Sequence, residues 1–328
     1  MSSQDWPLVR LRHVARLTPP QPGDVLVNTA PGPDGAMLAL WASPAAKAAL
    51  TERITAPNGV RYSPSVLRRP VDVRVAAHRP GSGGSGVGWA VEIPELRIPA
   101  SHVQVLPGER VLLAGSRCDW RARGPDQNAA IYDADGAPAH SGTLGDGINS
   151  LLTTAEGRIW AGYFDEGIFG NRGWGRTGPA PIGAPGLVCF DQQFQPVWGL
   201  KDGAMADCYA LTLAGEDAWA CYYSNFPVVR ARPDAVRSWH NGEAGYALMV
   251  HTPTSRVGLF SGYGQQNLNR LLVGRLGADA VEWEPPRWVV LPDGTELPSS
   301  NVRCHGSSLY IITDTADWYA LDLADLTT

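Results

Sequence analysis

One pattern is repeated along most of the chain: an apolar strand, a tight polar turn and a second apolar strand, followed by a polar or aromatic tip. The copies are VQVLPGERVLLAGSRCD (103–119), NSLLTTAEGRIWAGYFDEG (149–167), CYALTLAGEDAWACYYSNF (208–226), YALMVHTPTSRVGLFSGYG (246–264) and VRCHGSSLYIITDTAD (302–317). Internal repetition of this kind is typical of repeat architectures. It therefore constrains the fold more than any single motif in the sequence.

Third and fourth strands follow several of these copies. Third strands are predicted in NAAIYDADG (128–136), GLVCFDQQF (186–194) and WYALDLADL (318–326), and fourth strands in QPVWGL (195–200), AVRSWHN (235–241) and PRWVVL (286–291). Four short antiparallel strands that recur roughly every 40 to 55 residues are typical of a β-propeller, whose blades are four-stranded sheets. Any all-β protein contains strand-turn-strand units, but the recurring tip and the tryptophan near the fourth strand favour a propeller.

The predicted fold is therefore all-β, a β-propeller of about six four-stranded blades that forms a single domain over residues 1–328. Seven blades are the alternative, because residues 18–100 can hold one irregular blade or two. Regular blades are predicted over residues 101–328. The alternation of apolar residues in LVRLRHVARL predicts a strand within residues 7–17 that pairs with the final blade and closes the ring.

The irregular first region contains two further local signals. SPAAKAALTERI predicts a short helix over residues 43–54, with Ser43 as its N-cap and Pro44 as its first helical residue. RPGSGGSG, residues 79–86, predicts a flexible loop. This run lacks the lysine and the spacing of a phosphate-binding P-loop.

Composition supports many short strands. Hydrophobic residues make up 44% of the chain and charged residues 18%, while 37 glycines and 27 prolines leave little room for long helices. The formal net charge is -5, which provides no general basic field. Neither nucleic acid nor an anionic membrane is therefore expected as a partner.

The cysteines and the first residues predict a cytoplasmic protein. The five cysteines are odd in number and widely spaced, and most lie in apolar strand-like runs, which predicts buried, reduced thiols. The opening sequence MSSQDWPLVRLRHVARL has no continuous apolar segment, so no signal peptide is predicted. No later segment offers the roughly 18 uninterrupted apolar residues of a membrane span.

One blade carries a family resemblance. In DGINSLLTTAEGRIWAGYFDEGI (146–168), an Asn-led strand and an acidic-Gly turn lead into an Ile-Trp-x-Gly strand and a glycine-bearing loop. This stretch resembles the two-component-regulator type of β-propeller repeat. The copies at 208–226 and 246–264 keep the same order of strand, turn and strand, but they lack the Trp-x-Gly sequence or the turn glycine. The resemblance implies a propeller that senses or binds, and it transfers no catalytic residue.

The loops between second and third strands of a propeller lie on the same face as the loops between blades, so they form one rim around the channel. Their carboxylates, amides and aromatic rings suit a polar ligand or a cation. The predicted ligand-binding residues are Tyr163, Asp165, Glu166, Trp174, Tyr222, Asn225, Tyr263, Gln265, Asn267 and Asp314. The loop from Tyr163 to Gly186 is expected to cover the channel mouth. The plainer alternative is that Asp165 and Glu166 form a solvated turn and that the tyrosines pack between strands.

No motif predicts catalysis. The sequence contains no G-x-S-x-G, no H-E-x-x-H and no glycine-rich dinucleotide fingerprint. The catalytic residues therefore stay unknown. His102, His251 and His305 lie on or beside predicted first strands and are the acid–base candidates.

Two functions from different classes fit these residues. The first is a cytoplasmic propeller that binds a small polar molecule or a protein partner on its loop-rich face, without a certain cofactor. The alternative is a metal-dependent hydrolase or lactonase, similar in outline to the gluconolactonase-like enzymes, with a divalent cation (Ca, Mg or Zn) in the central channel. Its metal ligands are Glu166 (or Asp165), Asn225, Asn267 and Asp314. The fold alone does not decide between the two functions.

Overall fold

A computed structural model describes residues 6–55, 59, 61–81, 84–176, 178–201, 203–298 and 300–326. Six sheets succeed one another along the chain as the blades of a six-bladed β-propeller. This confirms the predicted fold class, with six blades and not seven. The chain divides into two compact units, each built around three of these sheets. The first unit is Thr18–Gly81 and Ser85–Gly203, and the second is Met1–Leu17, Ser82–Gly84 and Ala204–Thr328.

Two short strands begin the chain, and both belong to the second unit. They are β1 (Leu8–Arg10) and β2 (Arg12–Arg16).

The first unit contains blades 1, 2 and 3. Blade 1 consists of β3 (Val25–Pro31), β4 (Met37–Ala42), β7 (Val71–Gly81) and β8 (Gly84–Leu96), and between β4 and β7 lie α1 (Pro44–Leu50) and the hairpin of β5 (Ile54–Thr55) and β6 (Arg61–Tyr62). Blade 2 consists of β9 (His102–Leu106), β10 (Arg110–Ala114), β13 (Ala129–Tyr132) and β14 (Pro138–Gly142), with the small hairpin of β11 (Trp120–Arg121) and β12 (Gly124–Pro125) inserted. Blade 3 consists of β15 (Ile148–Thr153), β16 (Ile159–Tyr163), β17 (Leu187–Phe190) and β18 (Pro196–Gly199), with α2 (Asp165–Phe169) after β16.

The second unit contains blades 4, 5 and 6. Blade 4 consists of β19 (Asp207–Ala214), β20 (Asp217–Tyr223), β21 (Val228–Ala231) and β22 (Val236–Trp239). Blade 5 contains β23 (Ala247–His251), β24 (Arg256–Phe260), β25 (Arg270–Leu276), β26 (Val281–Trp283) and β27 (Arg287–Val290), with single 3-10 turns at Thr252–Thr254 and Gln265–Asn267. Blade 6 contains β28 (Ser300–His305), β29 (Ser308–Thr313) and β30 (Asp317–Asp322).

The N-terminal segment supplies outer strands to two blades of the second unit. β2 pairs antiparallel with β30 and becomes the fourth strand of blade 6, as predicted. β1 pairs instead with β27 of blade 5, in parallel, so the segment is not a single strand of the final blade. Val9 and Leu11 explain the division, because both side chains are buried in a core cluster shared with residues of blades 5 and 6.

The predicted helix forms but is shorter than 43–54. The Ser43 hydroxyl accepts a hydrogen bond from the Ala46 N–H at 3.2 Å, and Pro44 occupies the first turn, as the capping signal predicted. The helix ends at Leu50, whose side chain is buried, and β5 begins at Ile54. Among the described residues, no helix has the length and apolar character needed to cross a bilayer.

The run predicted as a flexible loop, 79–86, is largely strand. β7 extends through Gly81 and β8 begins at Gly84, so the glycines continue a long hairpin. Residues 82 and 83 lie outside the described part of the chain. Pairing with β4 holds β7 in a strand through Ala76 and His78, next to the glycine-rich run. A glycine-rich composition alone does not show whether such a run ends a hairpin or forms a loop.

Apolar residues of the strands build the cores in both units. In the first unit a buried cluster joins all four strands of blade 1 to blade 2. In the second unit one cluster joins blades 4 and 5 and another joins blades 5 and 6. All five cysteines are buried, and none of them forms a disulfide.

Candidate functional site

A pocket of about 750 Å³ opens in the first unit where three segments meet. The segments are the β5–β6 hairpin of blade 1, the region 116–121 of blade 2 and the region 164–172 of blade 3. Five of its lining residues are arginines: Arg53, Arg61, Arg117, Arg121 and Arg172. Two are carboxylates, Asp119 and Glu166, and three are aromatic, Tyr62, Trp120 and Phe164.

Arg117 is held by ion pairs on two sides. Its Nε and Nη2 donate to the two carboxylate oxygens of Asp146, both at 2.9 Å, and Asp146 also accepts a bond from the Cys118 N–H. Nη2 lies 2.5 Å from Oε2 of Glu166, and the guanidinium packs over the ring of Phe164 at 5.2 Å. A bidentate pair fixes the guanidinium plane as well as its position.

The two carboxyls beside Arg117 differ in their pKa. Burial raises the pKa of Asp146 above its usual value, although Arg117 and the Cys118 N–H oppose this. Burial acts on Glu166 in the same direction, but a hydrogen bond from Asn171 and the charge of Arg117 outweigh it and lower the pKa of Glu166. Glu166 is therefore a carboxylate near neutral pH.

Arg172 joins the three segments of the pocket. Its Nη1 lies 2.6 Å from Oδ1 of Asp119, and its Nη2 donates to the backbone carbonyl of Ser63 at 2.9 Å. The guanidinium packs over the ring of Tyr62 at 4.8 Å. Its own carbonyl accepts from the Trp120 N–H. Only 11% of the Arg172 side chain is exposed, so these contacts hold it nearly rigid.

Arg121 is also paired. Its Nε and Nη2 donate to the two oxygens of Asp126, both at 2.8 Å, and Nη2 donates to Asp119 at 2.9 Å. Burial raises the pKa of Asp126, but the hydrogen bonds from Arg121 and Ser65 outweigh it and the pKa is lowered overall. Three of the five arginines thus have carboxylate partners.

Arg53 and Arg61 differ from the other three. Both side chains are exposed, and within the described residues neither has an ion pair or side-chain hydrogen bond. Both lie on the blade 1 side of the pocket: Arg53 directly precedes β5, and Arg61 is the first residue of β6. Their charges are the part of the lining that has no ion-pair partner among the described residues.

The first part of the long glycine-rich loop of blade 3, residues 164–172, forms one wall of the pocket. Trp174 is buried, donates from Nε1 to the Cys118 carbonyl at 2.9 Å and packs edge-on against Trp120 at 5.0 Å. Gly173 has a φ of 90°, and a side chain there would collide with the backbone of Trp120. The glycines therefore allow the close approach that packs the loop onto blade 2.

The predicted site residues of the first unit divide between pocket and interior. Glu166 lines the pocket. Asp165 is exposed, and its Oδ1 accepts a hydrogen bond from the Glu166 N–H at 2.7 Å. Tyr163 and Trp174 are buried instead of exposed on a loop surface. The Tyr163 hydroxyl donates to the Leu144 carbonyl, so this ring packs between strands, as the plainer alternative has it.

The remaining predicted residues belong to the second unit. Tyr222 is buried at 3% exposure, like the other residues of β20 before Tyr223. The others are wholly or partly exposed: Asn225, Tyr263, Gln265, Asn267 and Asp314. Asn267 donates from its amide to the Tyr263 carbonyl at 2.6 Å. Whether these residues share a site with Asp165 and Glu166 stays a prediction.

The metal alternative stays a prediction. Among the described residues, no group of three or more His, Cys, Asp or Glu side chains could hold a metal ion, whereas the predicted ligands include the amides Asn225 and Asn267. Of the predicted ligands, Glu166 is already bound by Arg117. Of the histidine candidates, His102 lies beside the pocket, with Nε2 3.1 Å from the Ser116 hydroxyl.

Sequence reasoning missed the arginines. None of the five arginines is among the predicted ligand-binding residues. The available signal was weak. Each of the five arginines lies within three residues of an aromatic or acidic residue, and many surface arginines do the same.

Comparison with known proteins shows no family for this chain. No family model matches the sequence, and no curated protein matches it. A functionally unknown protein from Desulfotomaculum acetoxidans aligns over 91% of this chain and 83% of its own, with 9% identity and a TM-score of 0.48.

Two β-propeller structures are similarly distant. The β-propeller domain of Cps50 (Swd1) from Myceliophteria thermophila covers 91% of this chain and 83% of its own, with 10% identity and a TM-score of 0.45. BamB from Moraxella catarrhalis aligns over 98% of this chain and 100% of its own, with 13% identity and a TM-score of 0.43. The resemblance to the two-component-regulator repeat stays a prediction.

Proposed function

We propose that this protein is a binding propeller whose arginine-lined pocket holds a small organic anion, a carboxylate or phosphate attached to an apolar or aromatic group. The observation that carries the proposal is the pair Arg53 and Arg61, two exposed arginines without a carboxylate partner among the described residues, at a pocket whose other arginines are paired. Guanidinium groups bind carboxylates and phosphates through planar, charge-assisted hydrogen bonds.

The charge balance favours an anion. The lining has five arginines against two carboxylates, an excess of three positive charges. Asp126 and Asp146, which pair with Arg121 and Arg117 from behind the lining, reduce this excess to one. A local positive charge in a protein with a net charge of -5 selects for an anionic ligand at this position.

The aromatic lining and the volume favour an organic ligand over an inorganic ion. Tyr62, Trp120 and Phe164 present rings beside the arginines. Ligand sites in proteins commonly enclose roughly 300–1,000 Å³ and combine apolar walls with a few fixed polar groups. Arg117 and Arg172 are fixed donors of this kind, because their ion pairs hold them before a ligand arrives.

Calorimetric titration with phenyl phosphate tests the proposal. The double substitution Arg53→Gln and Arg61→Gln should weaken binding at least about tenfold, because each charge-assisted hydrogen bond contributes roughly 1.5–3 kcal/mol. The matched control is Arg68→Gln with Arg69→Gln, which removes the same charge from exposed positions outside the pocket. If both double variants lost the same affinity for phenyl phosphate, the loss would come from the long-range effect of charge, and a specific site at Arg53 and Arg61 would be contradicted.

Glu166 distinguishes the anion site from the metal alternative. Glu166→Gln removes a negative charge from the lining, so it should strengthen phenyl phosphate binding about threefold. If Glu166 were instead a metal ligand, Glu166→Gln would weaken the binding of the cation. Titration of the variant with phenyl phosphate and, separately, with CaCl₂ or ZnCl₂ measures both effects.

A further inference from the structure

A cluster of aromatic rings lies on the second unit, independent of the residues that form the pocket. We call it the tyrosine cluster. It comprises Tyr209 near the start of β19, Tyr223 at the end of β20, Phe226 after β20, Tyr246 before β23 and Tyr263 after β24. Four separate chain segments therefore bring one ring or two to the same place. Such convergence depends on the blade topology and not on local sequence.

The outer rings of the tyrosine cluster are exposed to an unusual degree. Tyr223 is 48% exposed, Tyr246 49% and Tyr263 48%, and the neighbouring Leu268 of the same loop as Tyr263 is also 48% exposed. Single exposed apolar residues are normal on a protein surface, whereas a contiguous group marks an interaction site.

The rings hold one another in place. Tyr209 stacks on Tyr246, with centroids 5.5 Å apart and planes 20° apart. Tyr263 meets Tyr209 edge-on at 5.8 Å, and their hydroxyls share a hydrogen bond of 2.5 Å. Phe226 packs against both, at 5.5 Å and 5.8 Å. The cluster is therefore ordered before any partner arrives, which lowers the entropy cost of binding.

Backbone strain also helps to position the cluster. Asn225 and Phe226 have φ values of 65° and 47°, in the left-handed region that non-glycine residues seldom adopt. This conformation turns the Phe226 ring towards Tyr209 and Tyr263. Strain of this kind is concentrated at functional sites, where the surrounding structure maintains it.

A carboxylate lies close to the cluster. Asp207 is the first residue of β19, two residues before Tyr209, and it lies opposite Tyr223 in the pairing of β19 with β20. Burial and Tyr263 raise the pKa of Tyr209 and of Tyr246, and the Asp207 carboxylate raises both further, so it lies within electrostatic range of the two rings. The cluster therefore combines electron-rich tyrosine faces with a nearby negative charge.

We propose that the tyrosine cluster binds an arginine side chain carried by a partner protein. A guanidinium stacks on a tyrosine face and is attracted by its quadrupole, and Asp207 supplies the opposite charge. Tyrosine and arginine are the residues most enriched at the centres of protein interfaces. The exposed rings present apolar area to the backbone and neighbouring side chains of the partner segment.

The test is an NMR titration with the peptide acetyl-Gly-Arg-Gly-Arg-Gly-amide, compared with the same peptide carrying citrulline for arginine. Citrulline keeps the planar shape and removes the charge, so it should bind at least about threefold more weakly. Equal binding of the two peptides would overturn the proposal. Tetramethylammonium is the third probe, and binding as tight as that of the arginine peptide would identify a small-cation site and overturn the protein partner.

Variants locate the effect. Tyr263→Leu should weaken the arginine peptide about threefold while Tyr263→Phe, which keeps the ring face, should stay within about twofold. Asp207→Asn should weaken it about threefold, and Asp234→Asn, at an exposed position of the β21–β22 turn, should not. Equal effects of the two Asp variants, or none from Tyr263→Leu, would overturn the proposal.

Two further measurements keep the test decisive. Tyr246→Leu provides a second ring deletion in case the Tyr263 variant alters the loop, and unchanged melting temperatures show that both variants fold. The variant Arg53→Gln with Arg61→Gln should bind the arginine peptide normally, so failure of the anion site and failure of the tyrosine cluster are distinguishable.

Discussion

His78 is a histidine in the middle of β7 whose ring is completely buried. It packs edge-on against Trp41 at 6.0 Å, and neither ring nitrogen has a hydrogen-bond partner among the described residues. Burial lowers the pKa of His78 from 6.5 to about 4. The unfolded chain therefore takes up a proton below pH 6.5 that the folded protein excludes until near pH 4, so stability falls as the pH falls through this window.

Denaturant unfolding at pH 7 and pH 5 measures this effect. His78→Leu should reduce the loss of unfolding free energy between the two pH values by about 2 kcal/mol relative to the wild type, because roughly 1.4 kcal/mol accompanies each pH unit inside the window. His240→Leu, at an exposed position, serves as the matched control and should keep the wild-type pH dependence. Identical pH dependence in the His78 variant and the wild type would contradict the buried neutral histidine.

Arg117 connects the stability of the first unit to its pocket. The Asp146 side chain is only 2% exposed, so Arg117→Met leaves a buried carboxylate without its bidentate partner. This should lower the unfolding free energy by about 3–5 kcal/mol, measured by urea unfolding. Arg79→Met breaks a pair with Asp34 in which both side chains are about half exposed, and it should cost less than about 1 kcal/mol. Equal costs at the two positions would refute the structural role of Arg117.

At the scale of elements, the N-terminal strands are the clearest test of the fold. Leu11, between β1 and β2, is 2% exposed, whereas Leu8 of β1 is 57% exposed. Leu11→Ala should destabilise the protein by about 2–5 kcal/mol, and Leu8→Ala should change stability by less than about 0.5 kcal/mol. Thermal or urea unfolding of the two variants measures the difference. Similar stability of both would mean that the segment is not packed against the blades.

The elements show which part of the fold the sequence could predict. Strands such as β13, β17 and β22 lie within the predicted segments, because alternation and turn residues are local signals. The attachment of β1 to blade 5 is decided by long-range packing of Val9 and Leu11, and β7 extends into a glycine-rich run because β4 and β8 pair with it. Neither effect has a local signal.

The pocket was harder to predict for the same reason. Arg53, Arg117 and Arg172 are separated by more than 50 residues from one another, and only the folded first unit brings them to one pocket. Glu166 was predicted because it follows a strand in a loop. Tyr163 was assigned to the surface, although the tight approach of Gly183 and the Leu144 carbonyl buries its ring. Burial depends on which segment packs above a residue, and one sequence does not specify that.

At the scale of the whole molecule, the two units carry chemically opposite surfaces. The first unit presents a pocket in which two arginines, Arg53 and Arg61, have no ion pair with another described residue, and the second presents tyrosine faces beside Asp207. A net charge of -5 therefore does not describe either site. The cytoplasmic location and the absence of a nucleic-acid or membrane partner stay predictions of the sequence.

A crystal structure of the complex with phenyl phosphate tests the central claim most directly. The proposal predicts phosphate oxygens within about 3 Å of the guanidinium groups of Arg53 or Arg61 and the phenyl ring against Tyr62 or Trp120. Arg117 and Arg172 should keep their pairs with Asp146 and Asp119. Phenyl phosphate bound away from this pocket, or an empty pocket at a concentration that saturates binding in solution, would contradict the account.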